Sequence, residues 1–281
     1  MNETCYKIAV EQKSKTIPQK ILLYIEDYFN KIFTPQYNPL YYLGAISSIL
    51  YAVIVVSGIY LFIFYRTNDP YQIVQNITEK QWYAGGVMRS IHRYASDALI
   101  ITLILHTTRE YLNRRYSHSR WLAWVTGLAL LIITIIIGIT GYWLVWDERA
   151  QLVALRTSYL LNDIRILIEP ISMSFLNNEG INILLFFILH LVHLAMPFAI
   201  IILIGLHVFR HSRPVITTPK MMTYAILIML FAAAVIMPAK SAPRADLSKL
   251  ITDAPFDWFY FFIFPLKELI PKQLFWIITA G

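Results

Sequence analysis

Residues 85–112, GGVMRSIHRYASDALIITLILHTTREYL, hold two histidines, His92 and His106, fourteen positions apart in a run otherwise dominated by apolar side chains. At about 100° per residue, fourteen helical steps fall only ~40° short of four full turns, so both imidazoles share one face. The rise between them is about 21 Å, most of the roughly 30 Å of a bilayer's hydrocarbon core. An imidazole inside a membrane helix is costly without a partner, and two on one stripe require two partners. Residues 181–211 answer that need: His193 and His207 are again fourteen apart in an apolar run.

The composition excludes a water-soluble domain. Hydrophobic residues make up 57% of the 281 and charged residues only 15%, with a mean hydropathy of +0.54. Runs long enough to span appear near 41–65, 93–112, 121–146, 181–209 and 219–238. The fold class that follows is an all-α transmembrane helix bundle: a four-helix core, a fifth span and amphipathic surface helices. The net charge of +7 does not imply nucleic acid, because the basic residues sit at span ends rather than in one patch.

Cys5 is the single cysteine, which leaves no disulfide framework, no CxxCH for covalent haem and no set of thiolates for an iron–sulfur cluster. Any metal centre must be held by histidine. Haem iron takes two axial histidines, so two b-type haems stacked across the bilayer are the economical reading of two paired stripes.

Glycines repeat the interval. Gly44 and Gly58 lie in the first span, Gly127 and Gly141 in the third, each pair fourteen apart. Small residues in membrane helices usually just let backbones approach. Two pairs at the histidine interval suggest instead helix surface without a Cβ at the height of each macrocycle.

The chain divides into three segments. Residues 1–38 are polar to amphipathic, and IPQKILLYIEDYFNKIF reads either as a helix on the membrane surface or as a solvated leader. The leader is not a cleaved signal peptide, since the first span begins only after about forty mixed residues. Residues 39–212 form the di-haem four-helix bundle, with amphipathic helices over 148–175 on its outer face. Residues 213–281 hold the fifth span, a loop and an apolar tail broken by Pro265 and Pro271. The loops REYLNRRYSHSR and RHSRPVITTPK are rich in Lys and Arg and belong in the cytoplasm with the N-terminus. His92 and His193 then lie towards the outer side of an energy-coupling membrane, His106 and His207 towards the cytoplasm.

RSIHRY at 89–94, HTTR at 106–109, WVTG at 124–127, GYWLVWD at 141–147 and HLAMP from His193 together resemble cytochrome b of the quinol-oxidising bc-type complexes, from about residue 36 onwards. The resemblance implies that His92 and His193 bind the outer haem, and His106 and His207 the inner one. It matches the glycine pairs to haem contacts and puts Arg89 and Arg109 where arginines meet haem propionates, with Arg93 beside them. His190 competes with His193 for the third ligand. Two aromatics before it, Phe186 and Phe187, favour His190, whereas the downstream Pro197 and the fourteen-residue interval favour His193.

There are departures. Val145 precedes Trp146 where the family has proline. The quinol-site signature proline, glutamate, tryptophan, tyrosine is replaced by Pro255, Phe256, Asp257, Trp258, Phe259, Tyr260. Asp257 still offers a carboxylate that accepts a proton, one methylene shorter, and is the candidate catalytic residue. Tyr42 stands where some relatives carry a cysteine for an extra haem. The family's remaining helices would be on another polypeptide or dispensable. Asp97 matches nothing in the family pattern; an intramembrane carboxylate is either functional or bonded to nearby hydroxyls.

The resemblance implies a membrane subunit of an oxidoreductase complex. Quinol would be oxidised at the outer face, one electron leaving to a Rieske protein or c-type cytochrome and the other crossing both haems to quinone. The alternative is a di-haem anchor coupling the quinone pool to an unrelated dehydrogenase or reductase. A transporter with structural histidines is a third, non-redox reading.

Overall fold

The computed structural model describes residues 16–116, 120–164, 181–209 and 215–249, with 251, 269 and 271 singly. Among the described residues every regular element is a helix, and strand-type pairing is limited to one isolated antiparallel bridge between Asp147 and Arg244.

Helix α1 spans Ile17–Tyr37 and opens on a capping box, in which Thr16 and Gln19 satisfy each other's first-turn amides. It kinks at Thr34 (φ 62°), immediately before Pro35, where proline pushes its predecessor out of helical geometry. The surface-helix expectation meets a helix whose Ile17, Ile21, Tyr24, Tyr28 and Ile32 are exposed along one side. Its other side is tied down by Asn38, which donates to the Glu26 carbonyl at 3.1 Å.

Helix α2 covers Leu43–Phe64. The connection after it, read from sequence as a loop, contains helix α3, Pro70–Glu79, capped by Asp69 accepting from the Gln72 amide and started by Pro70. A π-helical turn at Trp82–Gly86 leads into α4, Val87–Leu112. Then come α5, Trp121–Trp143, and α6, Glu148–Ile164. The two long elements that complete the bundle are α7, Ile183–Phe209, and α8, Lys220–Ile236. The second half of the expected 148–175 amphipathic stretch lies outside the described residues.

Three of these, Pro39–Phe64, Trp121–Trp143 and Ile183–Phe209, are long and apolar enough to cross a membrane. Helix α4 is as long, at 26 residues, but Arg89, Arg93, Asp97, Arg109 and Glu110 lower its hydropathy. Helix α8 has 17 residues, about 25 Å of helix, slightly short of the hydrocarbon core.

The bundle is two helix pairs. Helix α2 packs along α4, and α5 along α7, while the pairs touch each other far less. Helix α8 leans on the α2/α4 pair, where Leu230 joins Leu50, Ala95 and Leu99. At the end carrying His92, Tyr65 and Leu144, the C-caps of α2 and α5, close the bundle with Val74 of α3 and Phe186 and Leu189 of α7. Helix α6 folds back over α4 and α5 through Val153, Ile100 and Tyr142.

Candidate functional site

His92 of α4 and His193 of α7 face each other across the space between the two pairs. The His92 and His193 rings lie with centroids 6.5 Å apart and planes at 57°. Two imidazoles on one metal at ~2.0–2.1 Å per bond, each centroid ~1.1 Å behind its nitrogen, would stand about 6.3 Å apart. His190 is elsewhere, against Phe62 (5.6 Å) and the edge of Tyr65 (4.8 Å).

Each histidine is seated against one of the four glycines on the partner helix of its pair. A Cβ on Gly58 would come within 3.1 Å of His92 Cε1, and one on Gly44 within 3.4 Å of His106 Cε1. On the other pair, Gly127 would meet His207 at 3.1 Å and Gly141 would meet His193 at 3.2 Å. The glycines therefore seat the imidazoles themselves, which sequence spacing did not suggest; a methyl at three of the four would press on the ring.

The hydrogen bonds decide the tautomers. His92 Nδ1 lies 3.0 Å from the Ile54 carbonyl oxygen, which can only accept, so Nδ1 carries the proton. The Ser57 hydroxyl, 3.1 Å away, donates its own proton to Val53 O at 2.7 Å and accepts from the same nitrogen. The second pair repeats the arrangement. Thr140 Oγ1 is 3.0 Å from His193 Nδ1 and donates to Ile137 O; Thr126 Oγ1 is 3.1 Å from His207 Nδ1 and donates to Leu122 O. Nδ1–H engagement in all three gives the tautomer in which Nε2 carries the lone pair that a metal binds.

Ser57, Thr126 and Thr140 were missed from sequence. The signal was there: three of the four glycines follow a Ser or Thr directly. A hydroxyl one residue from the glycine reaches the ring that the glycine seats.

The arginines are held by other groups. Arg89 donates to Thr78 Oγ1 at 2.5 Å and Ser241 Oγ at 2.8 Å. Arg93 pairs with Asp97 at 3.2 Å and lies 4.6 Å over the Tyr142 ring. Arg109 donates to Glu26 Oε1 at 2.8 Å and sits 5.4 Å over Tyr41. Asp257 falls outside the described residues, but the loop leading towards it is anchored. Asp147, 4% exposed, accepts from the Ala150 amide that starts α6 and from the Ala242 amide, at 3.0 and 2.9 Å. Gln151 completes the clamp by donating to Asp246 O at 2.9 Å and accepting from the Asp246 amide at 2.8 Å. At the 145 position, the Val145 amide donates to Tyr142 O at 3.1 Å, a bond that proline could not make.

Among the described residues no group of three or more His, Cys, Asp or Glu converges as a metal site. The imidazole donors sit on both helix pairs, each with a glycine of the neighbouring helix against it, and His92 and His193 face each other. That set fits an iron whose other four ligands belong to a flat macrocycle, and fits neither a tetrahedral zinc site nor an oxygen-ligated cation.

A helical bundle of this kind, with histidines facing each other between its helix pairs, defines a class of integral membrane b-type cytochromes. The family model for cytochrome b/b6/petB matches residues 28–213, and the chain belongs to that family. Cytochrome b6 of Synechococcus sp. (strain JA-3-3Ab) is 33% identical over 131 residues, 46% of this chain and 60% of that one. Cytochrome b6 of Synechococcus elongatus (strain ATCC 33912 / PCC 7942 / FACHB-805) is 34% identical over 125 residues, 44% of this chain and 58% of that one. The chain thus spans about 60% of the length of these curated relatives. A chain of a hyperthermophilic respiratory Complex III shares the fold, with a TM-score of 0.68 at 18% identity, over 84% of this chain and 71% of that one.

Proposed function

We propose that this chain is the di-haem b-type cytochrome subunit of a bc-type quinol:acceptor oxidoreductase. It passes electrons across the membrane from quinol oxidised at the outer face. The observation that carries the reading is the fourfold repeat: four imidazoles, each seated on a glycine of the neighbouring helix, three with Nδ1–H engaged.

His92 and His193 would hold the outer haem, and His106 and His207 the inner one. Bound there, haem supplies a one-electron iron couple whose potential the protein sets through ligands, hydrogen bonds and dielectric. Ser57, Thr140 and Thr126 orient the rings and raise their basicity through Nδ1. Arg89, Arg93 and Arg109 supply positive charge at the two levels for propionates. Asp147 and Gln151 hold the 239–249 loop on α6, so that the chain continuing towards Asp257 leaves from a fixed point at the proposed quinol face. Partners would be a Rieske protein or c-type cytochrome and, for the family's remaining helices, a further chain.

Purification in mild detergent, with haem b counted per chain and attached subunits identified, tests this. Two haems b with a Rieske or c-type partner are expected; one haem or none overturns it. His106→Ala is expected to keep the outer haem quinol-reducible while the inner spectrum is lost.

A further inference from the structure

Among the described residues, Asp97 is the one carboxylate inside an apolar stretch of a long helix; α2, α5, α7 and α8 contain no acidic residue. It lies five residues past His92, about 7.5 Å further into the bilayer and some 140° round the helix from the imidazole. Its Oδ2 pairs with Arg93 Nε at 3.2 Å, its side chain is only 17% exposed, and its buried Oδ1 has no hydrogen-bond partner. Arg93 is shared, with its guanidinium 4.6 Å over the buried Tyr142 ring, and Tyr142 follows Gly141, the seat of His193.

A structural role accounts for this arrangement poorly. Burying an ion pair in the middle of a membrane helix costs more than a well-packed apolar pair would. Arg placed N-terminal to Asp at i,i+4 is also the weaker order for helix stability. A carboxylate retained for packing would have both oxygens satisfied. Here one oxygen is committed to Arg93 and the other is open, so Oδ1 can take up a proton while Oδ2 still accepts a hydrogen bond from Arg93; the charge of the carboxylate is lost and the contact is kept. The charged and titratable groups facing it are Arg93 on its own helix and Tyr142 on α5, with Arg149 of α6 beyond Tyr142. Helices α2 and α8, packed on α4's other side, add apolar residues through Leu50 and Leu230.

We infer that Asp97 is a redox-linked proton acceptor: when an electron from quinol arrives at the His92/His193 level, an O–H bond forms at Asp97 Oδ1. One electron reduces ferric iron to ferrous, one proton from water converts the carboxylate to the acid, and the site's net charge is unchanged. Reoxidation releases the proton. In this low-dielectric interior, compensating the electron with a proton is cheaper than holding an added negative charge beside Asp97. The inference rests on the haem reading above.

The test is a potentiometric titration of the purified complex at several pH values, following the outer haem spectrum in wild type, Asp97→Asn and Asp97→Glu. The wild type is expected to lose up to tenfold in its reduction equilibrium per pH unit, 59 mV for one electron. Asp97→Asn should flatten that dependence, and Asp97→Glu should restore it. A slope unchanged in Asp97→Asn with both haems bound, or no slope in wild type, overturns the inference and leaves the haem reading standing. Absence of any b-type spectrum in wild type overturns both. Should Asp97→Asn not assemble, the wild-type infrared redox difference spectrum decides. A protonated-carboxyl band appearing on reduction supports Asp97 as acceptor, and its absence rules that out.

Discussion

Thr140 Oγ1 lies 3.0 Å from His193 Nδ1 while giving its own proton to the Ile137 carbonyl at 2.8 Å, so the threonine can only accept from the imidazole. The histidine's proton is thereby placed on Nδ1, and its Nε2 faces the gap between the helix pairs. One hydroxyl, seated one residue before Gly141, selects the tautomer a metal requires.

Thr140→Val keeps the shape of the side chain and removes the acceptor. Loss of such an outer partner typically costs 10–100-fold in metal affinity. The expected outcome is weaker haem binding at the His92/His193 level alone, measured by haem retention through successive washes. Equal loss at both levels, or none, would contradict the assignment.

The glycine seats are unequal. Gly58→Ala and Gly127→Ala bring a methyl to 3.1 Å from an imidazole carbon, whereas Gly44→Ala brings one to an ordinary 3.4 Å. The first two are expected to displace the ring and lose or shift one haem spectrum each. Gly44→Ala should be nearly silent, and a spectrum as damaged as that of Gly58→Ala would count against this ordering.

Asp147→Ala removes the charged acceptor of the Ala150 and Ala242 amides. Hydrogen bonds to a charged group contribute about 2 kcal/mol, so hydrogen exchange at Ala242 should accelerate roughly thirtyfold. The haem spectra should persist, because the clamp touches no histidine. Unchanged exchange at Ala242 would mean that the loop is held by something else.

Glu26 and Arg109 form a sheltered pair, 11% and 16% exposed, that ties α1 to α4. Glu26→Gln removes the closer of the two carboxylates facing the guanidinium and leaves Glu110 at 3.7 Å, so the loss should stay below the roughly 3 kcal/mol of a buried charge left unpaired. Exchange across α1 should rise, and pairing the change with Arg109→Met should cost less than the sum of the two. Strict additivity would mean that the pair contributes no coupling.

Much of the site was legible in one dimension because helices are periodic. Fourteen residues return nearly to the same face, so His92 with His106, and Gly44 with Gly58, are aligned by any helix that contains them. The choice between His190 and His193 could be weighed by the same arithmetic, and the structure brings His193 to His92 while His190 packs on Phe62 and Tyr65. Arg109 finds its nearest acceptor in Glu26, 83 residues earlier, and no local pattern joins those two positions. Helix α3, ten residues with modest hydropathy, was likewise hidden inside what read as a loop.

Periodicity and apolar length, properties of the sequence alone, determined that this protein is a bundle of membrane helices with imidazoles and glycines at two heights. Which glycine seats which histidine, which hydroxyl holds each Nδ1, and where Arg89 and Arg109 find acceptors were decided only by the tertiary structure. The physical reason is one of range. Local spacing orients a side chain about its own helix axis, but a hydrogen bond or a 3 Å contact depends on the rotation and offset of the neighbouring helix. Those are set by packing between segments far apart in the chain.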